Sequence, residues 1–253
     1  MNLIFLGTGT SNGIPEIGCS CPVCTSANPK NRRLRSSVLV KTGNANILID
    51  TTPDLRMQAL QNKIDRIDAI CYTHHHADHI FGIDDLRRFC FLQGNAIPCY
   101  VTQRTNEIIQ KTFSYIFNPH PRFIDYIPRL NMHLINDSFD IFGTEVIPVE
   151  IEHGGLKIVG FRIGDMAYLT DCNHIPDSSR SLLKNLKVLI LDALRPQPHI
   201  SHFTVAEAIR ETIKIGAQKT YFTHMAHETD HETVSRTLPE GISLAYDGLS
   251  IKW

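Results

Sequence analysis

Seven residues, "THHHADH" from Thr73 to His79, follow directly on the apolar run "IDAICY" and constrain this chain more than any other stretch. A β-rich run that stops at a cluster of imidazoles and a carboxylate places a polar site at the end of a strand. The spacing lets one turn offer His74 and His76 to one cation, and Asp78 and His79 to a second cation a few ångströms away, the pattern of a dinuclear hydrolase. His75 falls outside this scheme as a bystander or packing residue. A solvated, histidine-rich loop is the plain alternative. Partners further along the chain decide against it.

Short apolar runs ending in polar residues or glycine recur throughout, among them "LIFLGTG", "SSVLVKT", "NILIDTT", "EVIPVEI", "KIVGFRIG", "MAYLTD", "KVLILDAL", "KTYFTH" and "ISLAYDGLSIKW". They read as strands. Helical patterns lie between them at Asp54 to Asn62, Asp84 to Leu92, Gln103 to Phe117 and Asp177 to Asn185. The clearest runs from Thr204 to Ile215, opened by a capping box of Thr204 and Glu207 and closed at Gly216. "IGD" around Gly164 reads as a tight hairpin turn, and Phe117 to Leu130 is irregular enough for a lid loop. Mixed order of this kind predicts two packed sheets flanked by helices rather than a purely parallel sheet. With 253 residues and no convincing linker, residues 1–253 are expected to form a single domain.

A dinuclear site needs more ligands than one loop provides, and three later strand ends supply them: His153, Asp171 and His224. Taken singly, each is better read as a surface or core residue. Their agreement in order and context reverses that, and here the sequence resembles the metallo-β-lactamase superfamily, whose H-x-H-x-D-H motif matches His74, His76, Asp78 and His79. The resemblance covers essentially the whole chain and implies an αββα sandwich. It also implies that one ion takes His74, His76 and His153, that a second takes Asp78, His79 and His224, and that Asp171 bridges them. Asp50, ending "NILID", matches a carboxylate that supports the site without binding metal; a strand-end turn residue is the equal alternative.

Two features narrow the branch. "GTGTSNG" (Gly7 to Gly13) is not a dinucleotide fingerprint, since Asn12 occupies the third glycine position and no helix follows, so it reads as a tight turn in which Ser11 or Asn12 could meet a substrate oxygen. The stretch "GIPEIGCSCPVC", with "RRLRSS", "HISHFTVAEA" and "THMAHE", resembles the PhnP-type phosphoribosyl cyclic phosphodiesterases. That likeness implies a structural zinc on Cys19, Cys21, Cys24 and His227, with His231 as an alternative fourth ligand. It also implies that His202 protonates the leaving group or binds phosphate, with His199 as a competitor. Three cysteines leave one over in a disulfide, and nothing at the N-terminus marks secretion, so the thiols are expected in a reducing cytoplasm.

The expected function is metal-dependent hydrolysis of a small, cyclic-ribose type of phosphodiester. Two active-site divalent ions, zinc or manganese, share an activated hydroxide, Asp78 and His202 serve the chemistry, and a third, structural zinc lies apart. Expected partners are a small phosphorylated substrate, with no membrane; a homodimer stays open. Lys plus Arg number 25 against 26 Asp plus Glu, a net charge of −1, so nothing draws the chain globally to nucleic acid. Two alternatives remain: a tRNA 3′-end processing endonuclease, which shares the strand-end motif, and a non-catalytic metal-binding carrier of the same fold.

Overall fold

The computed structural model describes residues 1–253. Fourteen strands run in chain order: β1 Asn2–Gly7, β2 Ser37–Lys41, β3 Asn46–Ile49, β4 Ala69–Cys71, β5 Ile97–Val101, β6 Leu130–Leu134, β7 Phe139–Ile141, β8 Thr144–His153, β9 Leu156–Ile163, β10 Met166–Leu169, β11 Val188–Asp192, β12 Lys219–Thr223, β13 Ile242–Leu244 and β14 Ser250–Lys252. They make two seven-stranded sheets, ordered β14-β1-β2-β3-β4-β5-β6 and β13-β12-β11-β10-β9-β8-β7. Each sheet is half antiparallel and half parallel. From β14 to β3 the pairs are antiparallel and from β3 to β6 parallel; from β7 to β10 they are antiparallel and from β10 to β13 parallel.

Three apolar layers hold this together. Between the sheets lie Leu3, Phe5, Val38, Val40, Ile47 and Ile49 of the first against Val146, Phe161, Ile163, Tyr168, Val188 and Ile190 of the second. These are alternate residues along their strands, the period-two pattern that turns one face of a sheet inward. The opposite face of the first sheet packs under helices Leu55–Gln61 and Leu86–Gln93, and that of the second under Val205–Ile215. The result is the expected αββα sandwich of two mixed sheets. No helix is long and apolar enough to cross a membrane.

The sheets share one pattern of turns at the carboxyl ends of their strands, and those ends carry the polar residues. Asp50 follows β3, His74 to His79 follow β4, and His153 ends β8. Asp171 follows β10, Asp192 ends β11 and His224 follows β12. Asp50, Asp171 and His224 all have positive φ, 63°, 58° and 58°. Left-handed backbone is uncommon outside glycine, though Asp and His tolerate it better than most. It lets the chain leave a strand sharply and turn the side chain back toward the seam. The Gly7 turn is forced by closeness: a Cβ there would collide with the Arg35 carbonyl.

Several boundaries differ from the sequence reading. The helix expected over Gln103 to Phe117 breaks at Phe113 into Gln103–Thr112 and Ser114–Phe117, because Phe113 leaves helical geometry and its ring packs edge-on to Phe81 at 5.6 Å. Asp177 to Asn185 is a single turn, Asp177–Arg180, followed by a 3-10 turn at Ser181–Leu183. "ISLAYDGLSIKW" is two strands, one in each sheet. β6 and β7 were missed; β6 is a largely exposed edge strand and offers no apolar run. The irregular segment before β6 contains a 3-10 turn at Pro121–Tyr126.

Candidate metal centre

The strand ends bring six imidazoles and four carboxylates into one space. Ring centroids of His74 lie 4.6 Å from His76, 4.2 Å from His79 and 5.6 Å from His153. His76, at the exposed mouth, is 5.1 Å from His153. On the other side, His79 Nε2 stands 3.3 Å from Asp78 and 3.4 Å from Asp171, and His224 Nδ1 is 3.1 Å from the same Asp171 oxygen. Donor atoms of His74, His76 and His153 lie within 4.8 Å of one another, as do those of His74, His79 and Asp171. His74 belongs to both, and Asp171 also clusters with His153 and His202, so its carboxylate reaches donors on both sides.

Asp50 orients both sets from behind. Its carboxylate accepts the His79 Nδ1–H at 2.8 Å, the Thr73 amide at 2.8 Å and the Thr73 hydroxyl at 2.7 Å; that hydroxyl lies 3.0 Å from His74 Nδ1. One carboxylate thus fixes the tautomer of His79 directly and of His74 through Thr73. His153 is fixed likewise, its Nδ1–H donating to the Ser201 carbonyl at 2.9 Å. His75 is half-buried and turned to the His76 side, its ring 5.5 Å away, and joins neither donor set.

The electrostatics fit cations. Burial drives His74 well below the ordinary imidazole range and His224 down to about 3, so both are neutral, the form that binds metal. Burial also opposes charge on His79, yet Asp171, Asp78 and Asp50 around it outweigh that and raise it well above the ordinary range. His74 Nε2, His79 Nε2 and both ring nitrogens of His224 are buried without a hydrogen-bond partner. Buried polar atoms are rarely orphaned, and these converge on carboxylates. Neutral imidazoles with bridging carboxylate fit divalent ions such as zinc or manganese.

His202 flanks the centre, its ring 4.7 Å from His153 and stacked 4.8 Å from His224. It is buried, and Nδ1 faces Asp192 Oδ2 at 3.2 Å while the Phe203 amide donates to the same oxygen at 3.1 Å. Burial opposes its charge but Asp192 prevails, raising it to about 9. Sequence reasoning missed Asp192, although an acid ending the apolar run "KVLILD" was the same signal that marked Asp50 and Asp171. His199 is exposed and turned to Ser201. A cleft of about 320 Å³ is lined by His202 and His224 together with Thr10, Ser11, Asn12 and Arg195.

His227, which also lines that cleft, belongs to a second donor group. The sulfurs of Cys19, Cys21 and Cys24 lie 3.3, 3.9 and 3.7 Å from His227 Nδ1. A tetrahedral ion with bonds of about 2.3 Å to sulfur and about 2.05 Å to nitrogen separates those atoms by about 3.6 Å. All seven cysteines are free thiols. His231 stands apart, packed edge-on to Tyr246. Burial, helped by Lys30 and Arg33, lowers it to about 4. An unfolded imidazole takes its proton near 6.5 and this one only near 4, so its stabilising effect is complete above about pH 6.5 and fades as pH falls to 4. His231→Gln is therefore expected to flatten the decline of melting temperature between pH 6.5 and 4.5 relative to the parent chain; parallel curves would disprove it.

Two packed mixed sheets with such a donor set at their seam define a metal-dependent hydrolase. The model of the beta-lactamase superfamily domain matches residues 45–225. The chain belongs to the metallo-β-lactamase superfamily and is PhnP-like: it is 45% identical to a solved structure described as a new diphosphatase from the PhnP family, covering 99% of this chain and 96% of that one with a TM-score of 0.93. Octanoyltransferase of Porphyromonas gingivalis is 38% identical over 98% of this chain, which spans only 51% of that protein. Zinc-bound PqqB from Methylobacterium extorquens shares the fold, with a TM-score of 0.79 at 19% identity over the full length of both chains.

Proposed function

We propose that this chain hydrolyses a P–O bond in a small phosphodiester or diphosphate, with two divalent ions at the His/Asp centre and a structural zinc on Cys19, Cys21, Cys24 and His227. The observation that carries this reading is the place of Asp171, whose carboxylate clusters with His74 and His79 and also with His153 and His202, beside orphaned nitrogens of His79 and His224 that lie 3.4 and 3.1 Å from it. His74, His76 and His153 would hold one ion, and Asp78, His79 and His224 the other. Bound there, divalent ions would neutralise phosphoryl oxygens and lower the pKa of a water from about 15.7 toward 7. The similarity to a PhnP-family diphosphatase favours phosphorus as the centre attacked. This chain spans about half the length of the octanoyltransferase it resembles, so that protein's named activity is not carried over to it.

The chain's own residues supply orientation and protons. Asp50 keeps His79 and, through Thr73, His74 in the tautomer that offers Nε2. His202, bonded through Nδ1 to Asp192, keeps Nε2 for the cleft and donates its proton to the departing oxygen. Asp192→Asn is expected to lower kcat about 10- to 100-fold by loosening that imidazole, with KM little changed. An unchanged kcat would remove Asp192 and His202 from the chemistry.

The test is a substrate panel with zinc- or manganese-loaded protein: a ribose cyclic phosphate, a dinucleoside diphosphate, precursor tRNA, a lactone and a thioester. Turnover confined to the first two is the expected result. Cleavage of lactone or thioester alone would overturn it, and inertness to all five would favour a carrier.

A further inference from the structure

Arg33 is 1% exposed, and the two Nη atoms of its guanidinium bond backbone carbonyls and one side-chain oxygen, while Nε is buried without a partner. Nη1 donates to the Ala226 carbonyl at 3.1 Å; Nη2 donates to the Thr229 carbonyl at 2.6 Å and to Asn31 Oδ1 at 3.3 Å. Those two carbonyls are the first and last of a turn closed by the Thr229 amide on Ala226 O at 3.1 Å, and its central residues are His227 and Glu228. His224 lies just before the turn. One planar fork therefore clamps both ends of the turn that joins the two candidate metal centres.

The other side of Arg33 faces the cysteine loop. Its backbone exchanges two hydrogen bonds with Ile14, at 2.8 and 2.7 Å, and Ile14 packs on Val23 and Cys24. Asp230 accepts from Asn31 at 2.7 Å, while Asp247 accepts from Thr8 and from the Leu34 amide. Burial lowers the guanidinium to about 10, with the nearby Asp247 and Asp230 opposing that shift. A buried arginine is costly unless each bond is specific, so the arrangement points to a demand on geometry rather than on stability alone.

We propose that Arg33 is a positioning residue that presets the Ala226–Thr229 turn, so that His227 faces the three cysteines and His224 faces Asp171 whether or not either centre is filled. This rests on the reading of those residues as ligands. A lysine keeps the charge but cannot span two carbonyls, and a methionine keeps bulk alone.

Cobalt(II) reports each centre separately: a thiolate charge-transfer band for the cysteine site and weaker visible bands for the His/Asp site. In Arg33→Lys and Arg33→Met, the expected result is at least a tenfold loss of cobalt affinity at the cysteine site and a changed visible spectrum at the other. Folded variants with parent affinity and spectra at both sites would overturn the proposal. Hydrogen exchange on the metal-free parent chain provides a test that needs no variant to fold. The Thr229 amide should be protected there, and exchange at the rate of an unstructured amide would overturn the proposal. A parent chain that binds no cobalt would instead sink the ligand assignment, and the amide measurement would still decide on the brace.

Discussion

Asp171→Ala, in metal-loaded protein, is expected to cut hydrolysis of bis-p-nitrophenyl phosphate by about a thousandfold or more while the chain stays folded. The size follows from what one bridging carboxylate controls: polarisation of substrate and water by bound ions contributes several kcal/mol to the barrier, and about 4 kcal/mol is a factor of roughly 10³. Asp171 clusters with His74 and His153, assigned to one ion, and touches His79 and His224, assigned to the other, so its loss disconnects two donor sets at once. Folding should survive, because Asp78 and Asp50 still face His79 and the apolar layers of the sandwich are untouched. Elemental analysis should show fewer than two active-site ions. Undiminished turnover in a folded variant would refute the shared-carboxylate arrangement.

The second large effect belongs to the cysteine site and is one of stability. Cys21→Ser is expected to lower the melting temperature by roughly 10 °C, corresponding to about 3 kcal/mol for a chain of this size. Activity per folded, loaded molecule should fall far less. Graded chelation should give the same division: the His/Asp centre, exposed at His76, is emptied first, while one zinc remains on the thiolates. A variant that loses turnover but keeps its melting temperature would reverse the two roles assigned to these sites.

Much of the site was legible because its residues sit at ends of apolar strands and because their order together resembles the metallo-β-lactamase pattern, although no later strand end taken singly marked a ligand. Asp50, His74 to His79, His153, Asp171 and His224 all stand at such ends. Asp192 does too, but its partner His202 returns from a loop ten positions on, and that pairing depends on the path of the chain after β11. Arg33 was hidden differently. In "RRLRSS" three arginines look alike, yet Arg33 is buried against a turn almost two hundred residues away and Arg35 pairs with Asp54 at 2.9 Å. Fold class was legible from the alternation of strands and helices. The break at Phe113 and the division of the last strands between sheets were not, since both answer to tertiary partners.

The shared pairing order of the two sheets has a consequence for how this molecule comes to exist. Donors to the His/Asp centre come from both halves, and β14, last in the chain, returns to pair with β1 at the edge of the first sheet. During synthesis the histidines of residues 74–79 emerge long before Asp171 and His224. The imidazoles of residues 74–79 can share an enclosed site only where the second sheet brings Asp171 and His224 against them, so the centre exists only once the two sheets have packed together.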